Sequence, residues 1–223
     1  MCGRYTITVD AGSIAWRFGA ERPEFEFEPF YNAAPTQQLP VIIETGSQRQ
    51  LVLMRWGLIP HWSKDMSIGN KLINARVETI DQKPAFKNPF HRRRCLIPAD
   101  GYYEWAKVNG YKQPLRIIST QQNIFSFAGI WDRWVSPEGL AIDSFSILTT
   151  TPVASIRHIH HRMPLILPFD QEDNWLTGPK EWNPQAVQHF LGSLAPFSSL
   201  RAYPVSTRVN SPHFNDPSLI TPV

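Results

Sequence analysis

Short apolar runs and period-two alternation dominate the chain, while the three-to-four spacing of an amphipathic helix is rare. Residues 38–44 hold Val41, Ile42 and Ile43, and residues 49–56 alternate around Leu51, Leu53 and Arg55. Both read as strands, as do 95–97, 101–105, 115–119, 124–130, 144–149 and 165–167. Asn109-Gly110, between Trp105 and Leu115, is the dipeptide of a tight hairpin turn. Few helices are predicted. Asp10 caps a short one carrying Ile14 and Phe18 on one face. Thr151-Pro152 reads as the start of another, reaching about Arg157. A third is capped by Asp170 and stops near Gly178, and a fourth starts at Asn183-Pro184 and stops at Gly192. Strands outnumber helices and do not alternate with them, which argues against a doubly wound parallel fold. The expectation is an α+β fold: one domain over residues 1–223, with a curled, barrel-like antiparallel or mixed sheet and peripheral helices.

Composition narrows the class. With 223 residues the chain can bury a core without disulfide staples. Only 18% of residues are charged, while Trp 8, Phe 13, Tyr 6 and Pro 20 are high, which excludes collagen, coiled-coil and disordered classes. Two Cys exclude a disulfide scaffold and a zinc ribbon. No apolar run has the length of a membrane span, and no signal-peptide pattern opens the chain. The expectation is a reduced, cytoplasmic protein. Net charge is only +3, but its distribution is uneven. Arg55, Lys64, Lys71, Arg76, Lys83, Lys87 and the run His91 to Arg94 make the middle third basic, which fits either a solvated face or a polyanion-binding one.

Candidate chemistry begins at the N-terminus, Met1-Cys2-Gly3-Arg4. Removal of Met1 leaves Cys2 with a thiol and an α-amine on neighbouring carbons, both partly nucleophilic near neutral pH. Such a 1,2-aminothiol captures aldehydes: the amine forms a Schiff base, and the thiol adds to it to close a thiazolidine. Gly3 permits close backbone approach. Trp56-Gly57-Leu58-Ile59-Pro60 with Trp62 reads as a turn bearing Trp residues, either core or a platform for stacking bases. Asn74, Arg76 and Glu78 fall on one side of a predicted strand, and Arg matches phosphate bidentately. Glu104 lies between Tyr103 and Trp105 near a strand end, an aromatic setting that suits an acid/base. Cys95, in an apolar run, reads as a buried inert thiol. His158, His160 and His161 lack partners at metal-ligand spacing, so no metal or other cofactor is assigned. One of these His residues suits proton shuttling, with Arg162 beside it for a phosphate.

Taken together, these pieces resemble the SRAP (SOS response-associated peptidase) family. The matching segments are MCGR, YNAAPT at 31–36, WGLIP at 56–60, NARVET at 74–79, RCLIPADGYYEW at 94–105 and IHHRMP at 159–164, in the family's order. Tyr203 to Ser206 resembles its closing segment, while residues from about 170 onward are otherwise less distinctive. The resemblance implies a DNA-damage protein that binds single-stranded DNA and crosslinks itself to abasic sites. In that picture Cys2 is the nucleophile, Asn74 orients its amine or the sugar, Glu104 moves protons during ring opening, and His160 assists Schiff-base and reversal chemistry. Arg4, Arg76 and Arg162 would hold phosphates, Thr149 would add a polar contact, and Trp105 would support base or sugar packing. It further implies lyase- and peptidase-type activity, a monomer, a nucleoid-associated location in a bacterium, and replication-fork proteins as partners. Removal of Met1 alone suffices to expose Cys2. Two other readings stay open: an N-terminal-nucleophile amidohydrolase, whose usual Arg-Gly-Pro-Asp segment is absent, and a non-catalytic single-strand-binding module.

Overall fold

The computed structural model describes residues 2–108 and 110–223. In chain order its strands are β1 (Tyr5–Ile7), β2 (Ala20–Glu21), β3 (Phe30–Ala33), β4 (Gln38–Thr45), β5 (Gln48–Trp56), β6 (Asn74–Arg76), β7 (Arg94–Ala99), β8 (Gly101–Val108), β9 (Tyr111–Ser119), β10 (Phe125–Val135), β11 (Ala141–Thr150), β12 (Met163–Pro164), β13 (Ile166–Leu167) and β14 (Leu200–Pro204). The α-helices are α1 (Ala11–Phe18), α2 (Pro84–Arg92), α3 (Glu172–Thr177) and α4 (Pro184–Ser193). β5, β4, β7, β10 and β11 hydrogen-bond in that order, and β11 returns to β5 as a parallel pair. That closure leaves a barrel with a mixed ladder, the curled sheet expected from the strand pattern. A second sheet runs β14-β9-β8-β1-β3 and carries the N-terminus. Among the described residues no helix is long and apolar enough to cross a membrane.

Apolar alternation places one large core between the sheets. Trp56, Phe127, Phe145 and Tyr5 are fully buried in it. Trp56 stacks on Phe145, with ring centroids 6.3 Å apart, and donates its indole N–H to the Ile73 carbonyl at 2.9 Å. The WGLIP segment is therefore a fold element at Trp56, not a stacking surface; Trp62 is the exposed tryptophan of that stretch. Gly57 has φ +119°, and a Cβ there would sit 2.5 Å from the Gly69 carbonyl oxygen, so only glycine fits this turn. The Asp10 cap is as expected, accepting from the Ser13 N–H at 2.8 Å. Asn183 likewise caps α4, accepting from Ala186 N–H, and α4 runs one residue past Gly192.

Other segments differ from the sequence reading. Residues 151–157 form no helix. Only i→i+3 bonds close there, from Ile156 N–H to Val153 and from Ile159 N–H to Ile156, and β-branched Val153 and Ile156 favour turns over continuation. Asp170 lies in a 3₁₀ turn, Phe169–Gln171, ahead of α3 instead of capping it, while Gly178 ends α3 at φ 61° as expected. α2 was not anticipated: Pro84 starts it, but Pro89 inside it masks the helical signal. β8 and β9 pair down to Val108 and Tyr111, so the hairpin stands with Gly110 at φ 84°; Asn109 lies outside the described residues.

Several ionisable groups are interred in the core. Burial pushes the Cys95 thiol and the Tyr5 and Tyr102 phenols well above their ordinary values. Burial, and then the Glu104 charge, does the same to Cys2. For acids raised in this way, the folded state keeps protons that the unfolded state releases. The stability they carry is complete below the ordinary values of 9.0 for thiol and 10.0 for phenol, and is lost as pH rises beyond them. The melting temperature should therefore hold through neutral pH and fall from about pH 9 upward. A Tm unchanged above about pH 10 would mean that these groups are not desolvated.

Candidate active site

β1 inserts between β3 and β8, which brings the residues just ahead of it against the barrel end where β6 joins β11. Cys2 is fully buried there. Asn74 donates its amide N–H to the Cys2 carbonyl at 2.8 Å. The Asn74 side-chain oxygen is itself buried and accepts no hydrogen bond among the described residues, which leaves an acceptor beside Cys2. The Cys2 thiol contacts the Arg4 carbonyl at 3.8 Å and lies within the field of Glu104. Glu104 is almost fully buried near the middle of β8, which continues to Val108 instead of ending beside it. Cys2, Asn74 and Glu104, three of the candidate residues, thus converge. At the start of β1, the Tyr103 N–H donates to the Arg4 carbonyl at 3.0 Å and fixes the register that sets Cys2 beside β8.

A second group is joined to the first through β6 and β11. Asn74 pairs with Ile147, and Arg76 with Thr149, in parallel register. β6 stops at Arg76 because Val77–Thr79 turns into a 3₁₀ helix, so Glu78 leaves the strand face on which alternation placed it. That turn hands Glu78 to Arg162. The Arg162 guanidinium donates to Glu78 Oε1 at 2.6 Å and Oε2 at 2.9 Å, and to the Thr149 carbonyl at 2.5 Å. This ion pair holds the Glu78 carboxyl below its ordinary value. His160 is half-buried and its Nδ1 meets the Arg162 N–H at 3.0 Å, which fixes the ring against the 160–162 turn. Its ring stacks on exposed His161 at 4.2 Å, and repulsion from His160 lowers the His161 pKa. Arg76 is exposed.

Arg4 and Trp105 belong to a third group, on the C-terminal segment. Arg4 donates to Asn32 Oδ1 and the Val209 carbonyl, both at 2.8 Å, and to the Asn210 carbonyl at 3.2 Å. Trp105 donates its indole N–H to Asn210 Oδ1 at 2.7 Å. Buried Asn32 completes the knot by donating to the Ser211 and Phe214 carbonyls, each at 3.0 Å. The motif YNAAPT flagged this stretch without singling out Asn32, because a buried amide inside an apolar run carries no periodic signal.

The fold and the site define an α+β barrel protein with a buried cysteine beside its N-terminus, held through its carbonyl by the Asn74 amide and lying in the field of the Glu104 carboxylate. Residues 1–212 match the family described as SOS response associated peptidase (SRAP), and the chain belongs to that family. It is 43% identical over 225 residues to the abasic site processing protein YoqW of Bacillus subtilis (strain 168), spanning 99% of each chain. It is 30% identical over 266 residues to the abasic site processing protein HMCES of Gallus gallus, spanning 100% of this chain and 78% of that one. Among solved structures, a Bacteroides thetaiotaomicron protein superposes with a TM-score of 0.85 at 29% identity, over 100% of both chains.

Proposed function

We propose that this chain processes abasic sites in single-stranded DNA by crosslinking Cys2 to them once Met1 is removed. The relatives are named for abasic site processing, and an abasic site offers the aldehyde that a terminal aminothiol captures. The observation that carries the reading is the Asn74 hydrogen bond to the Cys2 carbonyl, with an open amide oxygen and Glu104 beside it. In the first step the amine attacks the ring-opened sugar aldehyde and water leaves, forming an iminium. The thiol then adds to the iminium carbon: an S–C bond forms, the C=N pair settles on nitrogen, and the thiol proton passes to Glu104. His160 serves the proton transfers of Schiff-base formation and reversal. Asn74 Oδ1 accepts from the amine or a sugar hydroxyl. A lyase-type activity would use the freed Cys2 amine through its Schiff base, whereas a peptidase-type cleavage ahead of Cys2 would have only the thiol as nucleophile.

Burial supports this division of labour. A thiol raised by desolvation stays protonated at neutral pH, so its addition needs a base within reach. Denaturing electrophoresis after mixing with an abasic strand tests the reading. An adduct that survives heat and detergent supports it, whereas complexes that fall apart belong to a binding module.

The cations separate by what they already hold. Arg76 is exposed, whereas Arg162 is spent on Glu78 and Thr149, and Arg4 on Asn32 and the 209–210 carbonyls. Arg76→Ala should weaken binding to intact and abasic strands alike and lower the salt slope by ~0.7, the share of one single-strand phosphate. Filter binding at several salt concentrations measures both, and an unchanged slope would remove Arg76 from the phosphate contacts.

A further inference from the structure

The basic run His91 to Arg94, which the crosslinking site leaves unused, is divided by the fold. Arg94 is buried and donates to the Trp175 and Leu176 carbonyls at the end of α3, and His91 is taken by Asp81. Arg93 differs. It donates to Oδ1 of Asp132 on β10, and its guanidinium lies 5.5 Å from the Trp131 ring. Oδ2 of the same carboxylate accepts the His61 backbone N–H at 2.9 Å and meets the His61 ring Nδ1 at 3.0 Å. Asp132 is 1% exposed, whereas the His61 and Arg93 side chains are 50% and 37% exposed. One interred carboxylate thus holds two basic side chains together at the surface. The loop that carries His61 is pinned on both sides. Ile59 N–H donates to Ser144 Oγ on β11 at 2.7 Å, and the Trp134 indole donates to the Ser63 carbonyl at 2.8 Å.

Asp132 does not need the imidazole. Arg93 balances its charge, and the backbone N–H groups of His61 and Arg133 supply further donors. What the contact does is aim the ring: a carboxylate only accepts, so Nδ1 carries the proton and Nε2 is left for another partner. Among the described residues, neither Nε2 nor the rest of the Arg93 guanidinium makes a hydrogen bond. We propose that Arg93 and protonated His61, braced on Asp132, bind a backbone phosphate of the DNA single strand a few nucleotides from the abasic site. The inference rests on the strand-binding function proposed above. Asp132 pairs with Ser144 on β11, and three residues further along Ile147 pairs with Asn74. The two sites are therefore about 10 Å apart along one strand of the sheet. Trp62, next to His61, is exposed and offers a ring to a base, and an aromatic face beside cations is what holds single strands. While His61 is neutral, the Arg93 and Asp132 charges cancel. A proton on Nε2 adds a positive charge and a donor at once, so the grip tightens as pH falls. The other charged groups on the elements packed here are Arg133, which is spent on Asp143, and Lys64 and Asp65 of the loop itself.

Fluorescence anisotropy of the full chain with a labelled intact single strand, at about pH 8 and about pH 5.5 and over a salt series, tests this. The proteins are wild type, His61→Gln, His61→Lys and Arg93→Gln. Wild type should bind more tightly at the lower pH. His61→Gln should lose about two- to tenfold of that gain, the worth of one hydrogen bond, and its salt slope at the lower pH should be shallower by ~0.7. Histidines elsewhere act alike in wild type and variant, so the difference isolates His61. His61→Lys carries its charge at both pH values and should bind more tightly than wild type at the higher one. Arg93→Gln should weaken binding at both. The Tm of His61→Gln should stay near wild type, because the backbone N–H still serves Asp132. An equal pH gain and salt slope in wild type and His61→Gln would overturn the proposal, and so would His61→Lys binding no more tightly than wild type at the higher pH. If wild type holds no single strand at either pH, the strand-binding function itself fails and takes this inference with it, so the two failures are distinguishable.

Discussion

Cys2→Ser should abolish the stable adduct on abasic DNA while leaving strand binding close to wild type. Serine keeps the amine, so a Schiff base still forms and dissociates on heating. Its hydroxyl is a far poorer nucleophile than a thiol at the iminium carbon. The substitution is nearly isosteric at a fully buried position and leaves the backbone carbonyl that Asn74 holds at 2.8 Å. Fold and affinity should therefore survive, and the loss is confined to chemistry. Electrophoresis after heating, beside equilibrium binding to an intact strand, reads the two separately. A heat-stable adduct in Cys2→Ser equal to wild type would remove the thiazolidine from the account.

Glu104→Gln should produce the second-largest effect. The amide keeps the size of a side chain that is 4% exposed and removes its charge and its capacity to take a proton. Two consequences oppose each other. Losing the negative charge beside Cys2 makes thiol ionisation easier, since Glu104 is second only to burial in raising that thiol. Losing the base leaves the thiol proton without an acceptor at the moment of addition. A positioned acid/base contributes ~10²–10⁴-fold, and the inherent reactivity of an aminothiol with aldehydes offsets much of it. Crosslinking should therefore slow by up to about 10²-fold at neutral pH, with partial recovery as pH rises and thiolate forms without help. Binding to a non-reactive abasic analogue should stay near wild type. Proportional losses in binding and rate would make Glu104 a residue of the fold or of strand binding.

Much of the barrel was legible because its strands read as short runs of apolar, β-branched and aromatic residues, which the structure buries as continuous stretches in β7, β10 and β11. Closure was not legible, because the parallel β5–β11 contact joins residues nearly ninety positions apart, with Ser144 beside Arg55, and leaves no local trace. The short strands β1, β3 and β14 were missed for a related reason, since three to five residues cannot display a period. Among the candidate residues, Cys2, Asn74 and Glu104 stood out because of their motifs and their chemistry, and the structure places them together. The Arg162–Glu78 pair was hidden, because it depends on a 3₁₀ turn after Arg76 that carries Glu78 off the strand.

The most direct test of the central claim is the intact mass of the protein, freed of Met1, after incubation with an abasic single strand. The account predicts one species whose mass is protein plus DNA less one water, stable to heat, with peptide mapping placing the bond at Cys2. Free protein and free DNA alone, or an adduct mapped to a lysine, would contradict it.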